Sequence, residues 1–523
     1  MTNGAQALIA TLVDSGVQVC FANPGTSEMH FVAALDSVPQ MRGVLCLFEG
    51  VVTGAADGYA RVAGKPAATL LHLGPGLSNG LANLHNARRA HVPVVNVIGD
   101  HATYHKKYDA PLESDIEPLT DWTHGWVRRT GAGRDVGRDA AEAVAASMAS
   151  PAVVANLILP ADISWEDGAQ AAGPVEPVPA AAPDARAVAD IAAILGSGEP
   201  AALLIGGPAA GAVRALEATD RIAAATGARA LVETFPTRLV RGAGVPAIDR
   251  LGYLAEQAAY QLDGIKHLVV AGTRAPVSFF AYPGKPSDLV PEGCVVHNLA
   301  GLETDVVAAL EQLADAVAAG VPSRPAPAAV PALPSGQLTP QNWVQVIGAL
   351  LPENAIISDE SNTSGLMLPA ATAGSPRHDV LTLTGGAIGQ GLPVAVGAAV
   401  AAPDRPVIAL EADGSAAYTI SALWTMAREN LNVTTVLINN SAYAILRLEL
   451  ARVGAEDEGG GHGPKAEALL DLSRPNMDFA KIAEGFGVPA TVATTCEELA
   501  EQFGRALAEP GPHLIDARIP TLF

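Results

Sequence analysis

Aromatic residues are scarce in this chain: Phe, Trp and Tyr together make up 4% of 523 residues. Hydrophobic residues still reach 49%, so the core must be built from Ala, Val, Leu and Ile. No apolar run approaches the ~20 residues needed to span a bilayer. Cysteine is nearly absent, with Cys20, Cys46, Cys294 and Cys496 scattered through apolar segments. That spacing matches neither a disulfide framework nor a metal site, and points to a reducing cytoplasm. Basic residues are outnumbered, 32 against 54 acidic, which leaves a net charge of −22. Such a balance argues against nucleic acid or an anionic membrane as partner. No G-x-G-x-x-G follows a strand-like run, so a NAD-binding Rossmann site is not expected. The N-terminus, MTNGAQALIATLVDSG, lacks a basic start and reads as an amphipathic helix, not as a signal peptide.

What is present falls into three blocks. At one domain per roughly 150 residues, the length predicts three domains. Two Pro/Ala-rich stretches without periodicity, 166–185 and 319–340, read as the linkers between them. The blocks are 1–165, 186–318 and 341–523. Each alternates short Val/Ile/Leu-rich runs with helical segments: AATLLHL and VPVVNVIGD in the first, AALLIGG and HLVVAGT in the second, VIALEAD and TTVLINN in the third. The expectation is an α/β fold of three doubly wound parallel-sheet domains.

The third block carries the strongest chemical signal. Asp413-Gly414-Ser415 ends one strand-like run and Asn439-Asn440 ends the next, with 440 − 413 = 27 residues between the two oxygen donors. A strand, a helix and a second strand make a parallel βαβ unit. Parallel strands bring both carboxyl ends to one edge, so Asp413 and Asn440 can converge in one crevice. A carboxylate, an amide oxygen and a backbone carbonyl, that of Ala442, suit Mg²⁺ and leave room for diphosphate oxygens. Gly414 and Ser415 open the helix, where free N–H groups favour phosphate. At the other end of the chain, Glu49 lies between an apolar run and an Ala/Gly-rich helix, in FEGVVTGAADGYAR. As plain structure it is a helix-terminal acid satisfied by backbone N–H groups.

Taken together these segments resemble the thiamin diphosphate-dependent 2-oxo acid decarboxylase and carboligase family. The family fingerprint is GDG, about thirty residues, then NN; here Ala412 stands where the first Gly is usual. A methyl group there is compatible only with a backbone not at φ > 0. The resemblance implies a pyrimidine domain, a middle domain and a diphosphate domain, with thiamin diphosphate and Mg²⁺ as cofactors. It makes Glu49 the acid that bonds the aminopyrimidine ring and so activates the thiazolium carbon. Asn362 and Thr363, in SDESNTSG, match a phosphate-contacting turn. In TGGAIGQGLP it gives the Gly386 carbonyl to the 4′-amine and makes Ile388 the apolar wedge under the thiazolium. Tyr443 is grouped with the cofactor contacts. It further implies a homodimer as the least functional unit, a homotetramer as the expected assembly, and a 2-oxo acid as substrate. FAD, which some acetolactate synthases carry, has no recognisable signature between residues 190 and 320.

Two branches of the family compete. The GPG-x-x-N turn at 74–79 looks like acetolactate synthase. NPGTSEMHF and LHLGPG look like benzoylformate decarboxylase, with Thr26 at its serine position and His72 at a proton-transfer position. That family's second histidine would fall in VSFFAYPG, residues 277–284, where none exists. Ile445, Leu446 and Arg447 follow at the expected substrate pocket, and Glu449 stands where relatives carry an aromatic. The expected reaction is decarboxylation of a 2-oxo acid with carboligation, in the manner of acetolactate synthase. A benzoylformate-type decarboxylase and a non-catalytic thiamin diphosphate-binding relative are the alternatives. Three other patterns have bland readings. G-L-S-N-G at 76–80 spells a nucleophile elbow, but Ser78 reads as a helix cap after a tight H-L-G-P-G turn. His101 and His105 lack a third ligand and read as an entrance loop. The Gly-rich, charged segment 452–468 reads as a lid or as a surface loop.

Overall fold

The computed structural model describes residues 2–454 and 463–521. The stretch 455–462, which carries the middle of the expected lid, lies outside them.

Eighteen short strands form three sheets among the described residues. The first domain holds β1 (Val19–Asn23), β2 (Arg42–Leu45), β3 (Ala67–Leu71), β4 (Val94–Asp100), β5 (Trp126–Arg129) and β6 (Val154–Pro160). They pair in the order β2-β1-β3-β4-β6-β5, all parallel. The chain continues through β7 (Ala201–Ile205), β8 (Arg229–Val232), β9 (Leu239–Arg241), β10 (Asp249–Arg250), β11 (His267–Ala271) and β12 (Val295–Ala300). Five of these make the middle sheet, β10-β8-β7-β11-β12. The last block supplies β13 (Ile356–Glu360), β14 (His378–Thr382), β15 (Val407–Ala412), β16 (Val433–Asn439), β17 (Ala490–Ala493) and β18 (His513–Arg518). Their order is β17-β18-β16-β15-β13-β14-β9.

The third sheet therefore departs from the expected pattern at one edge. Strand β9, from the middle block, joins β14 antiparallel, with Val240 opposite Asp379. The sequence divides cleanly at the linkers, but hydrogen bonding does not: an edge strand takes whichever neighbour offers free N–H and C=O groups. The linkers themselves contain almost no regular structure. The N-terminal helix is present at Gly4–Asp14, capped by the Asn3 side chain.

The low aromatic content has a geometric counterpart. Helix Glu49–Ala63 and helix Gly391–Ala401 are both Ala/Gly-rich and cross at close range. A Cβ on Gly58 would lie 2.2 Å from the Val394 carbonyl oxygen, and one on Gly397 would lie 1.9 Å from that of Ala55. Larger side chains would hold these helices apart. The same helix ties the first domain to the third through charge. Buried Arg61 donates to Asp57 at 2.7 Å, to the Thr382 carbonyl at 2.7 Å and to the Thr384 hydroxyl at 3.0 Å. In this way the A-D-G-Y-A-R run fixes where Glu49 stands.

Candidate active site

Glu49 is the first residue of its helix, only 6% exposed, after an extended Phe48. Its carboxylate accepts from the Asn23 amide at 3.0 Å and from the Asn79 amide at 3.0 Å. Neither asparagine was expected. Asn23 ends β1, and Asn79 sits on the helix Leu73–Ala90. This helix corrects two readings. The H-L-G-P-G stretch is its first turn and not a separate tight turn. Ser78 lies exposed inside it and caps nothing; His72 holds the cap position. Pro75 is tolerated because the first turn leaves N–H groups unpaired in any case.

His72 stands beside Glu49. A Cβ on Gly76 would lie 3.3 Å from Glu49 Oε1 and 3.3 Å from His72 Cβ. His72 Nδ1 is 2.8 Å from Glu28 Oε2. Glu28 also accepts the Gly25 N–H at 2.8 Å, and its carboxyl is buried. Burial pushes the Glu28 carboxyl up, and His72 pulls it back. A Cβ on Gly25 would collide with the imidazole, 2.2 Å from Nδ1. The N-P-G loop thus brings Glu28 to His72 and leaves Nε2 as the other ring nitrogen. Thr26 is exposed, two residues before Glu28 in the same short turn.

The βαβ unit forms as expected, with β15 and β16 parallel from Val407↔Val433 to Ala412↔Ile438. Its connection is two short helices, Asp413–Thr419 and Ala422–Arg428, in place of one. Ala412 has φ −77° and ψ 145°, an ordinary extended backbone that accommodates its methyl group. Asp413, 2% exposed, accepts from the N–H of Gly414 at 2.8 Å and of Ser441 at 2.6 Å. Burial pushes its carboxyl up to about 6. Asn440 Oδ1 accepts the Ala442 N–H at 3.0 Å. Among the described residues no hydrogen bond ends on the Ala442 carbonyl. A buried carboxylate with no cation beside it, an amide oxygen and an open carbonyl form a hard donor set that fits Mg²⁺. Asn362 donates to the Ser415 hydroxyl at 3.0 Å, which joins the Asn362–Gly365 turn, with Thr363, to the Gly414–Ser415 helix start. Tyr443 covers Gly414, since a Cβ there would lie 2.5 Å from its ring.

Gly386 has φ +76°, a conformation suited to glycine. A Cβ on it would also lie 2.6 Å from Phe279 Cζ. Phe279 comes from the segment searched for a second histidine, so an aromatic ring stands there. It packs with Phe235, Tyr253 and Phe280 at centroid distances of 6.0, 5.3 and 5.1 Å. Ile388 is half-buried in the same turn as Gly386. Ile445, Leu446, Arg447 and Glu449 lie on the helix Ala444–Arg452. Glu449 Oε1 stands 3.8 Å from Arg452 Nε. The Tyr282 hydroxyl is pushed up to about 12 by burial and by Glu449.

A second pair of carboxyls escaped sequence reading. Glu360 ends β13 and Glu411 lies on β15, directly opposite it and two residues before Asp413. Glu360 accepts from the N–H of Gly389 at 2.8 Å and from that of Gly391. Burial pushes Glu360 up to about 7 and pushes Glu411 well above the usual glutamate range, with the Glu360 charge as the next cause. Both shifts favour the protonated forms of the pair. His101 and His105 have ring centroids 5.3 Å apart. Among the described residues no group of three or more metal-ligating side chains forms.

Comparison with known proteins accounts for the two separated motifs. The description "Thiamine pyrophosphate enzyme, N-terminal TPP binding domain" matches residues 2–124, and "Thiamine pyrophosphate enzyme, C-terminal TPP binding domain" matches residues 360–517. The chain is 67% identical, over 99% of each sequence, to "Putative acetolactate synthase large subunit IlvX" of Mycobacterium tuberculosis. It is 31% identical, over 97% of each, to benzoylformate decarboxylase of Pseudomonas aeruginosa. Among solved structures it matches the thiamine diphosphate-dependent 4-hydroxybenzoylformate decarboxylase of Rhodococcus jostii RHA1 with a TM-score of 0.85, at 27% identity over 99% of both chains. The three α/β domains, the acid at Glu49 and the donor set at Asp413 and Asn440 thus sit in a chain that belongs to the thiamine pyrophosphate enzyme family, whose members here are decarboxylases and acetolactate synthases.

Proposed function

We propose that the protein decarboxylates a 2-oxo acid with thiamin diphosphate and Mg²⁺, and passes the product carbon to a proton or to a second carbonyl compound. One observation carries this reading: His72, held by Glu28, stands on the same flank of Gly76 as Glu49. A proton-carrying imidazole is thereby placed next to the acid that the cofactor needs. When bound, thiamin diphosphate supplies the carbon nucleophile and the electron sink for loss of CO₂. Asp413, Asn440 and the Ala442 carbonyl would hold Mg²⁺. Asn362, Thr363, Gly414 and Ser415 would hold the diphosphate, with Tyr443 covering it. The Gly386 carbonyl and Glu49 would take the aminopyrimidine, with Ile388 beneath the thiazolium. His72 gives or takes the substrate proton, beside Thr26, and Ile445 with Glu449 bounds the substrate side.

The site is completed between two copies of the chain, and pairs of dimers make a tetramer in the cytoplasm. Two facts support sharing. Among the described residues, Glu49 bonds side chains of the first domain only, and Asp413 bonds groups of the third only. An aryl 2-oxo acid is favoured by one further fact. The Glu449 carboxylate has the Arg452 guanidinium 3.8 Å away, and this pairing of charge weakens the objection that a lone acid would raise to a benzoyl group.

The test saturates the protein with thiamin diphosphate and Mg²⁺ and offers aliphatic and aryl 2-oxo acids. CO₂ release is measured, and the products are identified as aldehydes or hydroxyketones. Release of no CO₂ from any acid in the set refutes the reading.

A further inference from the structure

The turn that carries Gly386 is held from outside its own domain, and the grip is alternate. The Gly385 carbonyl accepts from His85 Nε2 at 2.9 Å. The Ala387 carbonyl accepts from the Asn86 amide at 2.8 Å, and the Ala387 N–H donates back to Asn86 Oδ1 at 3.2 Å. The Gly389 carbonyl accepts from the Asn83 amide at 3.2 Å and from the Thr419 hydroxyl at 3.0 Å. Carbonyls 385, 387 and 389 are thus taken. Among the described residues no hydrogen bond ends on the Gly386 carbonyl, which lies between them. Phe279 closes the other side of Gly386, so all three domains of one chain meet on this turn.

The gripping residues come from one helix, Leu73–Ala90, of the first domain. Asn83 and Asn86 are buried, and they bond each other at 3.0 Å. Asn83 also donates to the Gly50 carbonyl at 2.8 Å, one residue past Glu49. Burying two asparagines here is costly unless their polar atoms are paired, and both amides bond main-chain groups.

We propose that Asn86, backed by Asn83 and His85, is a positioning residue for the cofactor: it fastens the turn on both sides of Gly386 so that the Gly386 carbonyl, left open between the gripped ones, faces the aminopyrimidine amine. This rests on the thiamin diphosphate reading above and adds residues from the first domain. The physical argument is entropic. A carbonyl on a glycine turn samples many orientations, and flanking side-chain bonds remove that freedom before the ligand arrives.

The experiment separates the two ends of the cofactor. Affinities of the full-length wild type, Asn86→Ala and His85→Ala are measured by calorimetry for Mg²⁺–thiamin diphosphate, for Mg²⁺–pyrophosphate, and for the 4′-oxo analogue of the cofactor. Loss of one buried polar grip predicts thiamin diphosphate binding weaker by about tenfold in Asn86→Ala. His85→Ala, a half-buried and milder change, should shift affinity in the same direction by less. Pyrophosphate affinity should not change in either, which also shows that the third domain is folded. The 4′-oxo analogue, which offers no amine to the carbonyl, should lose little. Equal loss for pyrophosphate, equal loss for the 4′-oxo analogue, or unchanged thiamin diphosphate affinity in a folded Asn86→Ala each overturns the proposal. A wild type that binds neither thiamin diphosphate nor pyrophosphate refutes the underlying cofactor reading instead.

Discussion

Replacing Glu411 with glutamine should stabilise the third domain, and only above a definite pH. In the folded chain Glu411 lies in full burial against Glu360, and burial first, then Glu360, raise its pKa well above 4.5. A carboxyl raised on folding contributes stability that is fully present below the unfolded value and is lost as pH rises towards the folded one. In the unfolded chain Glu411 ionises near the usual 4.5. Keeping it protonated as pH rises therefore costs stability, at up to about 1.4 kcal/mol for each pH unit above the unfolded value, for as long as the folded group holds its proton. At pH 5 the same term is under about 1 kcal/mol. Glutamine has the same shape, carries no charge and can donate to Glu360. A chain of three domains does not unfold in one step, so the assay should be local. Native-state hydrogen exchange of peptides covering β13 and β15, on apo protein, reads the opening that exposes the pair. The ratio of wild-type to Glu411→Gln exchange rates should be small at pH 5 and grow by up to about tenfold per pH unit towards pH 7. A ratio that is flat with pH, or a variant that exchanges faster at pH 7, refutes the reasoning.

Other outcomes follow from the same geometry. Asp413 titrates at about 6 in the absence of metal, so protons compete with Mg²⁺ below that value. Mg²⁺-dependent cofactor affinity, measured by fluorescence titration, should fall by about tenfold per pH unit below 6 and be lost in Asp413→Ala. Glu49→Gln keeps the shape and loses the ionisable acid; turnover should drop by about 10²–10⁴-fold with cofactor still bound, read by steady-state kinetics beside calorimetry. Mixing Glu49→Gln chains with Asp413→Ala chains under exchange should restore activity, because one of the two sites then holds an intact acid and an intact metal set; proven mixed dimers without activity would contradict a shared site. Glu28→Gln should slow product formation by about tenfold or more while leaving thiamin diphosphate affinity unchanged, since among the described residues the Glu28 carboxylate hydrogen-bonds His72 and the Gly25 N–H.

Motifs that lie along the chain were legible; contacts between distant segments were not. The βαβ unit around Asp413 could be read because hydrophobic runs end at the residues that matter, and parallel topology places those ends together. Glu49 stood out as one acid inside an apolar frame. By contrast Glu28 is one of 54 acidic residues, and nothing local distinguishes it. Its role comes from Gly25, which has no Cβ to keep the His72 ring away. Asn23 and Asn79 were hidden for the same reason: an asparagine at a strand end or on a helix announces a cap, not a partner 26 or 30 residues away. The antiparallel β9 edge was invisible because edge pairing depends on which block approaches, and three residues carry no pattern.

The departure from the family pattern at Ala412 and the glycine kept at Gly386 have one physical explanation. Ala412 replaces a glycine, and the backbone there has φ −77°, where a methyl group is free of strain. The glycine elsewhere in the family is therefore not required by this backbone at that position. Gly386 is the opposite case. Its φ is +76°, and a Cβ would meet the Phe279 ring at 2.6 Å. Alanine there would combine a disfavoured left-handed backbone with a clash against a ring already packed by three other aromatics.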